Sequence, residues 1–419
     1  VVALGFGLFW AFSETAEAQS DVIILEGNIT GKKKLKRKKR YLLRGGVFIK
    51  KRLIIQDGTQ IFGENGSFLV IDQGAKIDAQ GTRERPIIFT SAQPEGQRRR
   101  GDWGGLIFNG KAPINVPGGV AEGEGDTGEY GGGTSSDAAD SSGVMRFVRV
   151  EYGGFAISPD NELNCIAFQG VGNGTEVDFL TAAWGGDDGV EFFGGTVNAK
   201  HIVAVGASDD SIDWTEGWTG KVQFAVVQQR GDEADNGMEC DNSAENHNLT
   251  PRSSPRMANV TLVGAPDPAT GPGSTRGILL RVGTHGQFRN FIVMGFKNVG
   301  LEIRDAATFA GFAGGTLDIR GFIFFNNRNN NPNVAAGQTT EALSASGSKI
   351  QQSVDPQLRD PFNTTSPDFR PRAGSPALNA ANVEANFAGD SFFVNAPYVG
   401  AFDANDDWTL GWVNWVFGR

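Results

Sequence analysis

The sequence contains few of the residues and motifs that build common catalytic and metal sites. Only three of its 419 residues are histidine, and the spacing of His201, His247 and His285 matches no metal-ligand motif. It has no P-loop and no G-x-S-x-G elbow, which excludes the sites that these motifs build. Beyond the N-terminal region, no stretch is long and apolar enough for a transmembrane helix. Helical periodicity is almost absent, which argues against a doubly wound α/β fold.

Basic residues are also in deficit. The chain has 38 lysines and arginines against 48 aspartates and glutamates, so its formal net charge is −10. This balance argues against nucleic acid as the main partner, because phosphate binding needs a basic face. Glycine, by contrast, is plentiful at 59 residues. That is about twice the average usage of roughly 7%, and it predicts many turns.

The N-terminal region has the composition of an export signal. Residues 1–12 form an apolar run that is too short to span a bilayer, and small and polar residues follow it. Ala16-Glu17-Ala18 is an A-x-A signal-peptidase site, so residues 1–18 are predicted to be a signal peptide whose start lies upstream of Val1. We therefore expect an exported protein that resides at the cell surface or outside the cell.

Short strand-like segments recur along the chain with glycine at their corners. Residues 54–61 and 70–77 share one pattern, and residues 187–195, 209–217 and 235–241 share another. A period of about 16 to 26 residues with short strands is typical of a solenoid. Leucine-rich repeats need a regular leucine frame that is absent, and a propeller blade needs about 40 residues. The sequence therefore predicts an all-β parallel β-helix, in which each coil pairs with the next.

The repeats suggest a division of the mature chain. Residues 19–52 are predicted to be an N-terminal cap with a basic strand, residues 53–402 the β-helix, and residues 403–419 an aromatic cap on the last coil. Three polar stretches are predicted to be lateral loop insertions: residues 117–143, 241–254 and 326–353.

The coil spacing also bears on the two cysteines, Cys165 and Cys240. They are expected to lie about three coils apart, which is about 14 Å at roughly 4.8 Å per coil. That distance is too long for a disulfide, so we expect two unpaired thiols.

Several longer motifs resemble those of bacterial exported β-helix proteins that are frequent in Bacteroidetes and related phyla. The resemblance covers nearly the whole mature chain, and its matching stretches are residues 81–91, 101–107, 109–115, 149–154, 187–200 and 398–402. It implies a right-handed parallel β-helix at the cell surface or beyond it. It brings no catalytic residues with it.

The sharpest chemical feature is a ladder of polar residues on three central repeats. Aligning the repeats places three residues in one column, the corner column: Asp188, Asp210 and Asn236. Three residues further on lies a second column, the acidic column: Glu191, Asp213 and Glu239. Strand alternation points the acidic column outward if the neighbouring apolar residues point inward. Carboxylates stacked about 4.8 Å apart repel, so they are expected to share protons or to bind a cation.

Three interpretations of this ladder stay open. Asp and Asn at turns often bond to the nearby backbone, so the ladder could serve only to form corners. The ladder could instead bind Ca²⁺, a hard cation that takes oxygen ligands, through Asp188, Glu191, Asp210, Asp213 and Glu239. The third interpretation is catalysis.

In the catalytic interpretation the candidates are Glu191, Asp213 and Glu239. Two carboxylates about 5–5.5 Å apart suit a retaining glycosidase, and about 6.5–9.5 Å suits an inverting one. A polysaccharide lyase would instead use Ca²⁺ to neutralise a uronate and a basic residue to take the proton. The candidates for that base are Lys200, His201 and Arg230.

Other side chains offer weaker signals. Trp218 follows a corner glycine and is the best candidate for an exposed platform on which a sugar ring stacks, whereas Phe192 and Trp214 share a column with Cys240 that suits the interior. The acidic loop at 117–143 suits solvent or Ca²⁺. The basic run at 32–40 suits a cap strand or contact with anionic headgroups.

The leading hypothesis is an exported, non-catalytic β-helix protein that binds a polysaccharide or cell-envelope glycan, or builds cell-surface structure, with bound Ca²⁺. A polysaccharide lyase or glycoside hydrolase with its site on the acidic column is the first alternative. The second is a subunit of an extracellular assembly that associates through its coil ends or lateral loops.

Overall fold

The computed structural model describes residues 22–158, 161–265, 271–328, 333–334 and 348–419. The predicted signal peptide at 1–18 and most of the predicted loop at 326–353 lie outside these ranges. Within them, no helix is long and apolar enough to cross a membrane.

The described chain is mostly β-strand. Its first strands are β1 (Val22–Ile29), β2 (Lys32–Leu35), β3 (Arg40–Ile49), β4 (Arg52–Ile55), β5 (Gln60–Gly63), β6 (Phe68–Ile71), β7 (Lys76–Gln80), β8 (Ile87–Ser91) and β9 (Leu106–Asn109). The next are β10 (Ala121–Gly123), β11 (Gly128–Tyr130), β12 (Gly143–Glu151), β13 (Ala156–Ser158), β14 (Asn161–Glu162), β15 (Ile166–Gln169), β16 (Glu176–Ala183), β17 (Val190–Phe193), β18 (Asn198–Val205), β19 (Ile212–Thr215), β20 (Lys221–Gln228) and β21 (Asn236–Cys240). The last elements are β22 (Arg256–Val263), β23 (Arg276–Leu280), β24 (Gly286–Met294), β25 (Val299–Ile303), helix α1 (Ala306–Ala313), β26 (Leu317–Phe325), β27 (Asn333–Val334), β28 (Gln351–Gln352), β29 (Leu358–Asp360) and β30 (Asp368–Pro371).

Coils stack through parallel strand pairs. One run of pairs passes from β3 through β6 and β9 to β15, and then through β17, β19, β21, β23 and β25 to β27. Two other runs of pairs lead to β7 and to β8. Strand β12 pairs with both of these strands, and a single run of longer strands continues from β12 to β28. This coil-on-coil pairing confirms the predicted parallel β-helix.

The longer strands each turn a corner at one residue with positive φ. These residues are Phe147, Phe179, His201, Phe224, Asn259 and Asn290, with φ between 48° and 64°. This backbone conformation is uncommon for residues other than glycine. The first four side chains stack from coil to coil, with ring centroids 4.1–5.0 Å apart, and we call them the corner stack. Ring stacking on the flank therefore accompanies the backbone strain at the first four of these six corners.

The interior is a ladder of apolar side chains in register. Phe108, Phe168, Phe192, Trp214 and Cys240 succeed one another on neighbouring coils, and all are fully buried. The inward orientation expected for Phe192 and Trp214 is therefore confirmed. Because interior and outward residues alternate along each strand, this ladder also sets which side chains face out.

The chain after the last coil returns along the flank of the β-helix, and we call residues 354–419 the C-terminal strap. Trp412 packs on Phe147 and Phe179 with centroids 5.5 and 5.9 Å apart, and Trp408 packs on His201 at 5.1 Å. The prediction that residues 403–419 form a cap on the last coil is therefore wrong. The tryptophans cover the corner stack instead, because its rings would otherwise leave an apolar strip exposed on the flank.

The parallel pairing also starts earlier than the predicted boundary at residue 53. Val22 in β1 already pairs with β3, and the basic strand β2 pairs in parallel with β4. The segment 19–52, predicted to be a cap, thus contributes strands to the first coils. At the other end, the described parallel pairing reaches Gln352 in β28, whereas residue 402 was the predicted limit.

The two cysteines are unpaired, as predicted, and both are buried. Burial raises the pKa of the Cys165 thiol to about 12 and raises that of Cys240 well above its ordinary value. Both thiols are therefore protonated at neutral pH and behave as small apolar side chains.

Candidate functional site

The acidic column forms as the repeats predicted. Glu191 on β17 is the register partner of Asp213 on β19, and Asp213 is the partner of Glu239 on β21. Each is flanked by fully buried inward residues, and the three carboxylates lie half-buried on the outer face. Parallel coils therefore hold the three carboxylates one above another along the helix axis.

The corner column has a structural role in the backbone. The backbone N–H of Asp210 donates to Oδ1 of Asp188 at 2.9 Å, and that of Asn236 donates to Oδ1 of Asp210 at 2.5 Å. Each aspartate thus accepts a hydrogen bond from the next coil and ties the two corners together. This agrees with the turn-forming interpretation, but it involves only one oxygen atom of each carboxylate.

The two columns meet in a larger carboxylate cluster. Carboxylate oxygens of Asp188, Asp210 and Asp213 lie within 4.8 Å of one another, a spacing that could hold one metal ion. Two further triplets with the same spacing extend the cluster along the corner: Asp187, Asp188 and Asp209, and Asp209, Asp210 and Asp235. Glu191 and Glu239 belong to none of these triplets, although the sequence analysis included them among the ligands.

Sequence reasoning missed the contribution of Asp187, Asp209 and Asp235. Each immediately precedes a corner-column residue, so the repeated Asp-Asp or Asp-Asn pair was the available signal. Strand alternation gave no reason to count them, because they lie before the strands begin. At a tight corner, however, consecutive side chains can converge on one side of the chain.

Inserted segments partly cover the acidic column. Asn164, which follows the β13–β14 hairpin, donates from Nδ2 to Oε2 of Glu191. Tyr130 in the predicted loop at 117–143 donates its hydroxyl to Oε2 of Glu216 at 2.8 Å. The loop therefore packs over this face of the helix, and it is not a wholly solvated acidic segment.

An arginine closes one end of the column. Arg281 donates from Nε to both carboxylate oxygens of Asp241 at 2.9 and 3.1 Å, and its Nη2 pairs with Glu239. Further along, Arg276 pairs with Glu302 at 2.7 Å. Positive charge thus sits beside Glu239, and no ion pair within the described residues neutralises Glu191 or Asp213.

Burial and mutual repulsion raise the carboxyl pKa values throughout the cluster. Loss of hydration is the largest cause, followed by neighbouring carboxylates, and it raises the pKa well above the ordinary value for Asp188, Glu191, Asp210 and Asp213. The pKa of Asp187 rises to about 7 for the same two reasons. Without a cation, several of these groups would therefore be protonated at neutral pH.

One atom at the centre of the cluster has an unmet bonding capacity. Oδ1 of Asp213 is buried and has no hydrogen-bond donor among the described residues. Oδ1 of Asn164, which lies beside Glu191, is buried and unpartnered in the same way. Buried polar atoms in folded proteins nearly always have a partner, so these two oxygens are positions that can accept a donor or ligate a cation.

The predicted sugar platform at Trp218 is wrong. Its side chain is fully buried, stacks on Phe192 with centroids 4.1 Å apart, and donates its indole N–H to the Val197 carbonyl at 3.2 Å. The chain turns inward after Gly217, whose φ is +86°. A glycine corner can direct the next side chain to either side of the coil, so sequence position alone could not decide this exposure.

The three candidate bases contact other parts of the molecule. Lys200 lies over the ring of Phe392 in the C-terminal strap, and His201 stacks within the corner stack and pairs with Asp178 at 2.7 Å. Arg230 donates to the carbonyls of Thr364 and Trp415, also in the strap. All three engage the flank that carries the strap, whereas the acidic column lies on the separate run of β17, β19 and β21.

A family comparison agrees with this architecture. The family profile described as pectate-lyase-like β-helix domain matches residues 27–357. Among solved structures, the Dettilon tailspike protein is similar, at 11% identity and a TM-score of 0.31. That match covers 72% of this chain and 59% of the tailspike chain, so this chain spans less than two thirds of the tailspike's length. No curated protein matches the sequence.

Proposed function

The chain belongs to the family of pectate-lyase-like β-helix domains, and we propose that it is an exported, non-catalytic member stabilised by Ca²⁺. In this proposal the carboxylate cluster on the central coils holds the cation. The β-helix then serves as a rigid scaffold that binds a glycan or builds cell-surface structure.

The observation that carries the proposal is the unpartnered Oδ1 of Asp213. It lies in a group with Asp188 and Asp210 whose carboxylate oxygens are within 4.8 Å of one another. A cation at this point would satisfy the buried oxygen and neutralise the repulsion that raises the pKa values of these acids.

Calcium suits this group better than the common transition metals. It takes six to eight oxygen ligands at about 2.3–2.6 Å in flexible geometry, and carboxylates, carbonyls and amide oxygens all serve. The cluster supplies aspartate oxygens at adjacent corners, and none of its three triplets among the described residues includes a histidine or a cysteine. The two cysteines are also protonated at neutral pH, which makes them poor ligands for soft metals.

Three features favour a structural site over a catalytic one. The insertions that carry Tyr130 and Asn164 partly cover the acidic column. The expected sugar platform, Trp218, is buried. The basic residues considered as proton acceptors contact the strap. Arg281, which does reach the column, is held by two carboxylates and has a raised pKa, so it is a poor base.

The glycan and the export route rest on two other observations. Membership of the pectate-lyase-like family makes a polysaccharide the natural ligand class to test. The apolar run and A-x-A site at residues 1–18 support export.

The test is calcium titration of the chelated protein by calorimetry. The wild type is expected to bind Ca²⁺ with release of protons, because ligands with raised pKa values must lose them. Asp213→Asn is expected to lose most of this affinity. Glu176→Gln, which changes an exposed carboxylate on β16, is the matched control and is expected to bind as the wild type does. Equal binding by the wild type and Asp213→Asn would overturn the proposal.

A second candidate function is glycan cleavage, favoured by one observation. Glu191 and Asp213 lie one above the other as register partners on adjacent coils. Both carboxyls have pKa values raised well above the ordinary range. A carboxyl that stays protonated at neutral pH can serve as a general acid. A screen of acidic and neutral polysaccharides tests this. Turnover that Glu191→Gln and Asp213→Asn both abolish would replace the non-catalytic proposal.

A further inference from the structure

The first coils of the β-helix carry a concentration of positive charge that the rest of the chain lacks. Residues 22–52 contain twelve lysines and arginines and one acidic residue, whereas residues 53–419 contain 26 lysines and arginines and 44 acidic residues. Within the part of the chain that the structure describes, β1 pairs only with β3 and β2 only with β4, so their other edges form one end of the coil stack. We call residues 22–52 the basic end. Charge is therefore strongly asymmetric along this acidic protein.

Most lysines of the basic end have no carboxylate partner. Four of its basic residues form ion pairs with acidic residues between 57 and 78, namely Arg37, Arg44, Lys50 and Arg52. Seven lysines form no ion pair with any described residue: Lys32, Lys33, Lys34, Lys36, Lys38, Lys39 and Lys51. All of these except the half-buried Lys33 are exposed. Their charge therefore faces solvent and can attract an anionic partner.

Exposed aliphatic side chains adjoin this charge. Val22 and Ile24 on β1 are 51% and 42% exposed. Val22 is the register partner of Arg40, and Ile24 is the partner of Leu42, which in turn is the partner of Phe62. The guanidinium of Arg40 lies 5.3 Å from the centroid of the Phe62 ring. An outward apolar strip therefore lies directly beside positive charge.

Two other roles for the lysines account for less of this arrangement. Lysine on an edge strand prevents edge-to-edge association, which explains Lys32 and Lys34 on β2. It does not explain Lys36, Lys38 and Lys39 in the turn between β2 and β3, or the exposed aliphatic side chains on β1. A second copy stacked end to end would bring two basic ends together, and their like charges would repel.

We propose that the basic end docks on the anionic headgroups of a lipid membrane. The unpaired lysines contact the phosphate groups, and Val22 and Ile24 enter the apolar boundary beneath the headgroups. Basic residues beside exposed aliphatic ones are typical of surfaces that lie on a membrane without crossing it. The same headgroups repel the acidic remainder of the chain, so the β-helix stands away from the membrane. This inference goes beyond the calcium proposal, because it uses other residues and another partner.

The test is co-sedimentation of the full chain with two kinds of vesicle: phosphatidylcholine alone, and phosphatidylcholine with phosphatidylglycerol in equal parts. The anionic vesicles are expected to bind about tenfold more tightly or better, and high salt is expected to remove the difference. The apolar run at 1–12 contains no lysine or arginine, so binding through it does not depend on phosphatidylglycerol. Equal binding to both kinds of vesicle overturns the proposal.

Substitutions locate the contact. Lys36→Gln, Lys38→Gln and Lys39→Gln together keep the backbone hydrogen bonds of the turn, and we expect them to weaken binding to anionic vesicles about tenfold or more. The matched control removes three exposed positive charges elsewhere and is expected to bind as the wild type does: Arg99→Gln, Lys111→Gln and Arg328→Gln. If the turn variant does not fold, Lys32→Gln with Lys34→Gln applies the same test on β2. Unchanged affinity in a folded variant of the basic end, or an equal loss in the control, overturns the proposal.

A further pair of substitutions tests the aliphatic contact. Val22→Ser with Ile24→Ser keeps every charge and is expected to weaken binding to anionic vesicles about threefold to tenfold, because two apolar side chains no longer leave water. Heparin, a soluble polyanion without an apolar phase, is the comparison ligand, and its binding is expected to be unaffected by this change. Vesicle binding that the variant leaves unchanged, or heparin binding without vesicle binding, assigns the basic end to a linear polyanion and overturns membrane docking.

Two further arms separate this proposal from the calcium proposal, because calcium can bridge a carboxylate to an anionic headgroup. Vesicle binding is expected to persist in excess chelator and in Asp213→Asn. Binding that both treatments abolish would place the contact on the carboxylate cluster and overturn the assignment to the basic end.

Discussion

Replacing Asp213 with asparagine should change stability in opposite directions with and without calcium. In calcium the variant loses a ligand, so it should unfold at a lower temperature than the wild type. In chelator the same change removes a carboxylate that is buried among others, so the variant should be the more stable of the two. A substitution that merely disturbs packing would destabilise the protein in both conditions.

The structure sets the scale of both effects. Asp187 in the same cluster has its pKa raised from an ordinary 3.8 to about 7. Since one pKa unit corresponds to about 1.4 kcal/mol, keeping such a group ionised costs at most about 4 kcal/mol above pH 7. A site filled at 100 times its Kd contributes about 2.7 kcal/mol in the other direction. We therefore expect the difference in free energy of unfolding between Asp213→Asn and the wild type to change sign between calcium and chelator. The two values of this difference should lie a few kcal/mol apart.

The same pKa shift fixes the pH dependence. A carboxyl whose pKa is higher in the folded protein than in the unfolded chain destabilises the fold as the pH rises. The loss of stability begins near its pKa in the unfolded chain and is complete above its pKa in the folded protein. For Asp187 that window runs from about pH 4 to about pH 7. Chelated wild type should therefore become more stable as the pH falls from 8 to 5. Calcium-loaded protein should show the opposite trend, because protons compete with the cation.

The assay is thermal unfolding of the wild type, Asp213→Asn and the exposed control Glu176→Gln, each in calcium and in chelator across this pH range. The control should follow the wild type in every condition. A variant that is less stable than the wild type in both calcium and chelator would refute the reasoning, and so would a chelated wild type whose stability is independent of pH.

Two substitutions and one labelling experiment test the fold around the site. Trp218→Ala should destabilise the protein by about 3–5 kcal/mol in denaturant unfolding, because it empties an interior position, whereas an exposed platform would cost little. Trp412→Ala should make the C-terminal strap susceptible to limited proteolysis while the coils stay protected, and cleavage within the coils at the same rate would contradict this. Cys165 and Cys240 should resist a thiol reagent in the native state and react after denaturation, and rapid native labelling would contradict their burial.

Local repetition made the coils and their register predictable. Residues 187–195, 209–217 and 235–241 align in the sequence, and parallel pairing converts that alignment directly into stacked columns. The outward orientation of Glu191, Asp213 and Glu239 followed from alternation along a strand, which depends on neighbours only. These predictions needed no knowledge of distant parts of the chain.

The features that could not be predicted depend on contacts between distant segments. The sequence predicts that Trp408 and Trp412 belong to an end cap, because the open end of a solenoid must be covered. They pack instead on Phe147, Phe179 and His201, far back along the chain. The local sequence around these tryptophans is the same whether they pack on the flank of the β-helix or on the end of its last coil. The partial cover over Glu191 is likewise provided by inserted segments whose path the coil repeat does not determine.

The C-terminal strap should change how the protein unfolds. Repeat proteins usually unravel from their ends, because each coil is held only by its neighbours. Here the strap hydrogen-bonds to Asn290 through the Glu384 carbonyl and to Arg83 through the Asp407 carbonyl, so it bridges late and early coils. Fraying of a terminal coil must therefore disturb contacts many coils away. A chain built as a linear array should accordingly melt as one unit, with mechanical resistance along its long axis.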